Sequence, residues 1–276
     1  MNIGFIDYYL DEWHANNYPR LLSEATGGKM NVTLAYGHID SPIGGRTTDK
    51  WCSDMNVPRA ASIEEVCEKS DAIVVLSPDN CEMHEVLCQL PLRTGKRVYV
   101  DKTFAPDYAT AKRIFDIAEE SHTPCYSTSA LRFATEYAGI TDVGALASWG
   151  PYKFETYAIH QLEPIMMLMD SAPQKVCFVP GKDSYTLLIA FEDGRCASAT
   201  GFDSNAPFMM SLNTGGENRV ITVKSDYFGG FIKNLAHFFL TGEGAVPHEE
   251  TLRIMAVRGA GVEGQKRPGE WISIHK

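Results

Sequence analysis

The first part of the chain alternates short apolar runs with stretches of helical periodicity. The pattern predicts strands at residues 2–6, 30–36, 71–76, 97–100 and 124–126, with helices at 15–26, 62–69, 80–94 and 107–121. Some of these runs, such as DAIVVL at 71–76, are almost wholly apolar, which is typical of parallel strands covered on both faces. Strand–helix alternation at this spacing predicts a doubly wound parallel sheet.

The second part of the chain has a different pattern, with many strands and few helices. Strands are predicted at 145–150, 176–179, 185–191, 196–202, 208–213, 219–223 and 271–274, with helices at 155–169, 228–240 and 248–263. This order is typical of an open, mostly antiparallel sheet with one covered face. We therefore predict an α/β protein with two domains, residues 1–127 and 128–276.

Composition and charge narrow the classes of function. The 276 residues are 44% hydrophobic and 22% charged, as in an ordinary globular protein. The formal net charge is −10, so no basic surplus exists to bind nucleic acid. No apolar run is long enough to span a membrane, and the first residues lack a signal-peptide pattern. The seven cysteines include no CxxC pair. We therefore expect a cytoplasmic protein with no metal site, nucleic-acid partner or membrane partner.

The candidate chemistry lies after the predicted parallel strands, because ligands bind beyond the carboxyl ends of such strands. Asp7, Ser77 and Asp101 each open a segment that reaches this edge, and Lys102 lies in the third. Lys102 could offer a cation and a proton donor to a bound anion or hydroxyl. From its position alone, a solvated loop lysine is the simpler interpretation, so its role depends on further observations.

The turn after the first strand argues against ordinary dinucleotide binding. Such a turn normally carries G-x-G-x-x-G, which lets the backbone approach a pyrophosphate at a helix N-terminus. Here Gly4 lies within the strand, and the turn from Asp7 to Asp11 contains no glycine. Both aspartates would place negative charge where phosphates should bind.

His160 is the second candidate, on the helix predicted at 155–169. If this helix faces a cleft, a neutral imidazole could act as a general base toward a substrate hydroxyl. A helix histidine that is satisfied by a local partner is the alternative. Tyr157 lies one turn earlier and could donate a hydrogen bond to substrate, although core packing is the simpler interpretation.

Several segments resemble the Gfo/Idh/MocA family, the glucose-fructose oxidoreductase and inositol dehydrogenase group. They are DAIVVLSPDN (71–80), LRTGKRVYVDKTFAPDYATAKRIFDIAEE (92–120), YAIHQLEPIM (157–166) and the tail at 246–274. The stretch GKRVYVDKT is similar to the family's Gly-Lys-x-Val-x-x-Glu-Lys-Pro signature, with Asp101 for Glu and Thr103 for Pro. The similarity spans nearly the whole chain.

The resemblance implies an N-terminal Rossmann domain and NAD- or NADP-dependent oxidation or reduction of a sugar or cyclitol hydroxyl. It implies three catalytic positions: Lys102 near the nicotinamide, His160 as the catalytic histidine and Thr156 at the place of the motif aspartate. Substrate contacts fall on Lys102, Tyr157 and His160. The implied cofactor-binding positions are Ile6, Asp7, Tyr8, Tyr9, His38, Ser77, Pro78, Asp79, Asn80 and Lys102.

This chain departs from the family pattern at the cofactor positions. Thr156 cannot ionise, and His38 stands where the ribose-binding acid is usual, with Asp40 as a weak substitute. NAD and NADP are therefore not distinguished. Arg46 is a candidate phosphate partner, although a solvated loop arginine is the simpler interpretation.

Two functional hypotheses follow. The favoured one is an NAD(P)-dependent oxidoreductase that acts on a hydroxyl of a sugar, cyclitol or related small molecule. The alternative is a family member without redox activity, which binds a sugar-like ligand or performs acid–base chemistry such as elimination. Both predict that Lys102 and His160 converge on one cavity. Because open sheets commonly bury their exposed face against a twin, we also expect a homodimer or larger homo-oligomer.

Overall fold

The computed structural model describes residues 1–275 and divides the chain into two compact units. The first contains residues 1–105, 110–128 and 232–248, and the second contains residues 106–109, 129–231 and those from 249 onward. The first unit thus includes a segment from late in the chain. That residues 1–127 and 128–276 form two domains, each able to fold independently, remains a prediction.

The sheet of the first unit is parallel. Its strands are β1 (Asn2–Asp7), β2 (Asn31–Gly37), β3 (Ala72–Val75), β4 (Arg97–Val100) and β5 (Cys125–Tyr126). Their order is β2-β1-β3-β4-β5, and every pairing between neighbours is parallel. All residues of β3 are buried, as its apolar run predicts. The predicted α/β class and the doubly wound parallel sheet are confirmed.

Helices connect these strands. They are α1 (Trp13–Ala25), α2 (Thr48–Met55), α3 (Ile63–Lys69), α4 (His84–Leu87) and α5 (Tyr108–Glu120). The pattern analysis missed α2, because its eight residues are polar apart from Trp51, Cys52 and Met55. A weak apolar stripe of this kind gives little periodicity to detect.

The single helix predicted at 80–94 was wrong. The segment contains a 3₁₀ turn at Cys81–Met83, the short α4 and a second 3₁₀ turn at Pro91–Arg93. Pro91 is the first residue of the second 3₁₀ turn, a position at which its missing N–H leaves no helical hydrogen bond unmade. The imidazole of His84 also anchors this segment, through contacts to the carbonyl oxygens of Leu76 and Phe104.

The sheet of the second unit is mixed. Its strands are β6 (Val143–Pro151), β7 (Pro173–Pro180), β8 (Ser184–Phe191), β9 (Cys196–Phe202), β10 (Met209–Thr214), β11 (Glu217–Thr222) and β12 (Trp271–Ser273). Their order is β11-β10-β6-β9-β8-β7-β12. Only the β6–β9 pair is parallel among these described strands, so the prediction of a mostly antiparallel sheet is confirmed.

Helix α6 (Phe154–Met169) covers one face of the second sheet, and α7 (Tyr227–Thr241) and α8 (His248–Gln265) follow later. The side-chain amide of Gln161 donates to the carbonyl of Thr200 on β9 at 3.1 Å, which fixes α6 on the sheet. A Cβ on Gly261 of α8 would overlap the ring of Phe154, so glycine permits this close packing. Among residues 1–275, no helix combines the length and apolar character needed to cross a bilayer.

The late segment of the first unit packs against β5. The hydroxyl of Tyr126 donates to the side-chain oxygen of Asn234 at 2.9 Å, and the ring of Tyr126 lies 4.6 Å from that of Phe238 between centroids. Both partners belong to the part of α7 that joins the first unit. The far edge of the first sheet is therefore completed by residues more than one hundred positions downstream.

Candidate active site

Asp7 ends β1 at the edge where the sequence predicts ligand chemistry. The hydroxyl of Ser77 donates to Asp7 Oδ1 at 3.2 Å and accepts the backbone amide of Tyr8 at 2.9 Å. Asp7 is 1% exposed, and burial raises its pKa well above the usual range despite the Ser77 hydrogen bond. Asp7, Tyr8 and Ser77, three of the predicted cofactor positions, thus lie together, but their hydrogen bonds join them to one another.

The N-terminus of α1 already holds a carboxylate from the protein itself. Glu12 is the N-cap residue, and its carboxylate accepts the amide of His14 at 2.6 Å and the amide of Ala15. These are the donors that an anion at a helix N-terminus would use. The preceding turn is filled by the buried side chains of Tyr9 and Leu10. The sequence analysis did not single out Glu12, because glutamate is not among the residues usually preferred as an N-cap.

The charge of Asp11 is paired rather than directed at a phosphate. Arg46 donates to its carboxylate through Nε at 3.0 Å, Nη2 at 2.7 Å and the backbone amide at 2.7 Å. These hydrogen bonds lower the pKa of Asp11. Arg46 is therefore a structural partner of Asp11, and the interpretation of a solvated loop arginine was wrong.

The other predicted cofactor positions are dispersed around this edge. The ring of Tyr8 stacks near that of His38, with centroids 6.1 Å apart, and the carboxylate of Asp40 accepts the amide of Thr48 at the start of α2. Asn80 donates to Glu82 at 3.0 Å. Ile6 and Pro78 are buried, whereas Asp79 is exposed.

Asp101 follows β4 and is fully buried. His14 Nδ1 lies 2.8 Å from its Oδ2, and the hydroxyls of Tyr18 and Tyr99 donate to its Oδ1 at 3.2 and 3.1 Å. Burial by itself would raise the pKa of Asp101, but His14 and the neighbouring Lys102 outweigh burial and lower that pKa to about 2. Asp101 is thus a carboxylate that stays ionised. The sequence analysis missed His14, since only the fold brings it to Asp101.

Lys102 adjoins this carboxylate in sequence. The residue is 8% exposed, and the peptide bond between Lys102 and Thr103 is cis. Within residues 1–275, its ammonium makes no hydrogen bond or ion pair. A nearly buried ammonium of this kind keeps its donors available to a ligand.

His160 lies on α6 and is held by a residue from outside that helix. Its Nδ1 is 2.7 Å from Ser129 Oγ, and its ring lies 5.0 Å from that of Tyr157 and 5.9 Å from that of Phe208 between centroids. Thr156 is one turn before His160 on the same helix face, as the four-residue spacing predicts. The structure thus adds Ser129, which no sequence motif indicates.

A buried ionic network supports Ser129. Its backbone amide donates to Glu163 Oε1 at 2.7 Å. Arg132 Nε lies 3.6 Å from Glu163 Oε2, and the same guanidinium donates through Nη1 to Glu250 at 2.9 Å. A carboxylate, a guanidinium and a backbone amide therefore fix the hydroxyl that contacts His160.

Comparisons with known proteins agree with this architecture. Residues 43–128 match the model of the Gfo/Idh/MocA oxidoreductase family, described as an NAD-binding Rossmann fold. A probable dehydrogenase from Thermotoga maritima is 12% identical, with a TM-score of 0.78 over 99% of both chains. The Gfo/Idh/MocA resemblance is confirmed. No curated protein matched the sequence.

Two further structures share the Gfo/Idh/MocA-like fold. Myo-inositol 2-dehydrogenase from Lactobacillus plantarum is 12% identical, with a TM-score of 0.80 over 99% of both chains. GenD2 from gentamicin A biosynthesis, solved in complex with NAD, is 10% identical, with a TM-score of 0.80 over 100% of this chain and 97% of that one. At these identities the likeness concerns the fold.

The family match begins after the part of the chain that would hold a diphosphate. It omits β1, the turn and α1, where the Gly-rich element is replaced. A diphosphate at this helix would compete with Glu12 for the amides of His14 and Ala15. The residues present therefore do not fit a dinucleotide diphosphate held at the N-terminus of α1.

Proposed function

We propose that this Gfo/Idh/MocA-like chain performs acid–base chemistry without a nicotinamide, on a sugar, cyclitol or related small molecule. The observation that carries this proposal is Glu12, whose carboxylate takes the amides that a dinucleotide diphosphate would need. The two residues implied as catalytic, Lys102 and His160, are retained. The chain thus keeps acid–base groups while its diphosphate element is altered.

His160 is the general base in this proposal. When its Nδ1–H donates to Ser129 Oγ, Nε2 carries the lone pair and can accept a proton. The proton comes from a substrate carbon next to a carbonyl, or from a substrate hydroxyl. Glu163 holds the amide of Ser129, so the imidazole is oriented before substrate binds.

Lys102 is the cation that supports the reacting oxygen. Its ammonium makes no hydrogen bond or ion pair among residues 1–275 and can donate a hydrogen bond to an oxygen that gains negative charge. Because the side chain is nearly buried, this interaction is stronger than it would be in bulk water.

A second candidate is NAD(P)-dependent oxidation or reduction of the same kind of hydroxyl. The family match over residues 43–128 and the likeness to an NAD-bound structure favour it. This candidate requires that the nicotinamide dinucleotide bind without the usual contacts to backbone amides at the N-terminus of α1.

A cofactor titration separates the two candidates. NADH and NADPH are added to millimolar concentration while heat and the fluorescence of the four tryptophans are followed. The proposal predicts no saturable signal from either nucleotide. Saturable binding in the micromolar range would overturn it in favour of the dehydrogenase.

The chemistry is tested by proton exchange without any nucleotide. A keto-sugar or keto-cyclitol is incubated with the protein in D₂O, and loss of the proton next to the carbonyl is followed by NMR. The wild-type protein should accelerate exchange. His160→Gln should slow it by about two to four orders of magnitude, the range for one general base. Exchange that is equal with and without protein for every compound would contradict the proposal.

The contributions of Lys102 and His160 to the exchange reaction are compared by a double-mutant cycle. Lys102→Ala and His160→Gln are assayed singly and together in the exchange assay. Groups that act on one transition state give losses that do not add. Fully additive losses would show that the two side chains act independently.

We also propose that the second sheet joins copies of the chain. Its face opposite α6 includes exposed apolar side chains, and Trp149 on β6 is 49% exposed. A groove on this sheet is lined by small and apolar side chains, among them Ala147, Leu188 and Trp271. Such a face is commonly covered by its twin in a two-fold dimer.

A further inference from the structure

We infer that an open cavity of the second unit binds a small, uncharged, apolar molecule, and that the bound molecule tightens the contacts that hold His160. The cavity lies where residues 132–140 meet the end of α6, and its volume is about 440 Å³. Every residue that carries this inference belongs to the second unit. The binding site stands on its own geometry, whereas its effect on catalysis rests on the function proposed for His160.

The lining of the cavity is largely apolar. Its larger side chains are those of Phe133, Tyr137, Ile140, Met167 and Leu168. Small-molecule sites commonly have volumes of about 300–1,000 Å³ and a lining of apolar and aromatic side chains with few polar groups. Removal of a ligand's apolar surface from water against such side chains favours binding.

The charges at the cavity select an uncharged ligand. Arg132 is the one charged side chain among the described residues that line it. The guanidinium already donates to Glu250 through Nη1 at 2.9 Å, and its Nε faces Glu163. An ionic ligand would therefore lose hydration against the apolar lining without gaining a free opposite charge. A molecule without charge does not have this cost.

Arg132 connects the cavity to His160 through two residues. Its Nε lies 3.6 Å from Glu163 Oε2, and Glu163 Oε1 accepts the backbone amide of Ser129 at 2.7 Å. Ser129 Oγ in turn lies 2.7 Å from His160 Nδ1. Met167 of the lining is one turn beyond Glu163 on the same face of α6. A molecule in the cavity therefore contacts both sides of the Arg132–Glu163 pair.

The contact between Arg132 and Glu163 is longer than a hydrogen bond. Nε of Arg132 is buried and makes no hydrogen bond within residues 1–275. A buried donor without an acceptor is unfavourable, so closure of this gap would stabilise the pair. Packing of a ligand against Arg132 favours the closed arrangement, and a ligand that binds this arrangement more tightly increases its population.

The segment that carries Arg132 is suited to such a shift. Two 3₁₀ turns, Ala130–Phe133 and Thr135–Tyr137, make up most of it. The hydrogen bonds of 3₁₀ turns have poorer geometry than those of an α-helix, so this segment is easier to displace than α6. Arg132 is thus a positioning residue for His160, and the cavity is the place from which its position is changed.

Binding is tested by NMR on the full chain with isotope-labelled methionine methyl groups. Benzyl alcohol is the uncharged probe, and benzoate and benzylammonium are charged probes of similar size. The Met167 signal is assigned by its loss in Met167→Leu. Benzyl alcohol should shift this signal saturably at millimolar concentration, and each charged probe should bind at least roughly tenfold more weakly.

Three outcomes of this titration contradict the inference. The first is no saturable shift with benzyl alcohol, and the second is a charged probe that binds as tightly. The third is a Met167 signal that shifts with protein concentration alone, which would assign the cavity to a second copy of the chain.

A variant that obstructs the cavity locates the probe. Ala138→Trp adds a large ring at an exposed position of the lining, and Lys182→Trp adds the same ring in the exposed turn between β7 and β8. Benzyl alcohol should bind at least roughly tenfold more weakly to Ala138→Trp and equally to Lys182→Trp and wild type. Thr135→Trp, at another exposed lining position, replaces Ala138→Trp if that variant does not fold. Equal binding to all variants would place the probe elsewhere and overturn the site.

The connection to His160 is tested through its imidazole resonances, which need no turnover. Benzyl alcohol should shift them in wild type and leave those of exposed His237 unchanged. Arg132→Lys, which keeps the charge but lacks Nε, should bind the probe while His160 no longer responds. Unchanged His160 resonances in wild type with bound probe would overturn the connection.

The effect on catalysis is measured last, in the proton-exchange assay. Saturating benzyl alcohol should raise the exchange rate constant roughly fivefold in wild type and leave it unchanged in Ala138→Trp. An equal rate constant with and without probe would overturn the catalytic effect. If no exchange occurs even without probe, the proposed function fails, while the Met167 and His160 signals still decide this inference.

Discussion

Two buried aspartates at the same edge of the first sheet have opposite electrostatic environments. Asp7 has a serine hydroxyl and backbone amides as partners, and burial raises its pKa. Asp101 has an imidazole and a nearby ammonium, which lower its pKa to about 2 although burial opposes them. Burial thus disfavours the ionised form of Asp7, whereas the imidazole and the ammonium favour the ionised form of Asp101.

Asp7→Asn should stabilise the protein in a pH-dependent way. A carboxyl whose pKa is raised on folding stabilises the native state below its unfolded value, near 3.8, and this contribution is lost as pH rises through the folded value. Asparagine cannot ionise, so its advantage should grow with pH, reaching about 1 kcal/mol or more near pH 8. Urea unfolding at several pH values measures the difference in free energy of unfolding between Asp7→Asn and the wild type.

The exposed Asp79 provides the matched control for this experiment. Asp79→Asn should change the free energy of unfolding by less than about 0.5 kcal/mol at every pH. An Asp7→Asn variant whose difference from wild type stays constant with pH would contradict the environment described for Asp7.

Ser129→Ala tests the residue that positions His160. The variant removes the hydroxyl 2.7 Å from Nδ1 and leaves the backbone amide on Glu163 intact. Loss of one hydrogen bond should lower the proton-exchange rate constant roughly tenfold, with little change in KM. Ser129→Thr, which retains a hydroxyl, should recover part of the rate. Equal rates in wild type and Ser129→Ala would remove Ser129 from the mechanism.

The sequence indicated Lys102 and His160. It did not indicate Ser129, which contacts His160, or His14, which contacts Asp101 next to Lys102. The identity of a lysine or a histidine, and the motif around it, can be read directly from the sequence. The contacts of Ser129 with His160 and of His14 with Asp101 join positions 31 and 87 residues apart. Only tertiary packing sets such contacts, so periodicity and spacing cannot reveal them.

At the scale of elements, strand positions followed from apolar runs, while helix ends depended on single residues. The strand predicted at 97–100 has the observed bounds Arg97–Val100. The helix predicted at 80–94 was wrong because the buried imidazole of His84 anchors this segment to the carbonyl oxygens of Leu76 and Phe104, and α2 was missed because few of its residues are apolar. Local chemistry that overrides periodicity accounts for both errors.

Glu12→Ala should destabilise the protein by about 1 kcal/mol, the usual effect of removing an N-cap side chain. The amides of His14 and Ala15 would lose their acceptor. Thermal and urea unfolding measure the change. Glu24→Ala, which removes an exposed carboxylate at the other end of α1, should have an effect near zero. Equal losses in both variants would show that Glu12 does not act as a cap.

At the scale of the whole molecule, the chain combines an acidic net charge with an uncovered sheet face. A formal charge of −10 keeps copies apart in general, so association needs a specific apolar contact. The exposed Trp149 and the groove near Leu188 provide such a contact on the second sheet. The sequence predicted an open sheet, and the structure adds which side chains its uncovered face carries.

Leu188→Glu should convert the proposed homodimer into a monomer. A carboxylate on each copy would be desolvated in a two-fold contact, and like charges would face each other. Light scattering coupled to gel filtration measures the mass. Val86→Glu, an exposed apolar-to-acid change in the first unit, should leave the mass unchanged. A wild-type monomer at micromolar concentration would contradict the proposal.

The contact of Tyr126 with Asn234 and Phe238 has a consequence for synthesis of the protein. A nascent chain that has emerged only as far as β5 lacks the surface that covers this ring. The first unit therefore waits for residues 232–248 before this apolar face is shielded. Until then the ribosome-bound intermediate carries an uncovered edge, which makes it a substrate for chaperones and a point of weakness for truncated products.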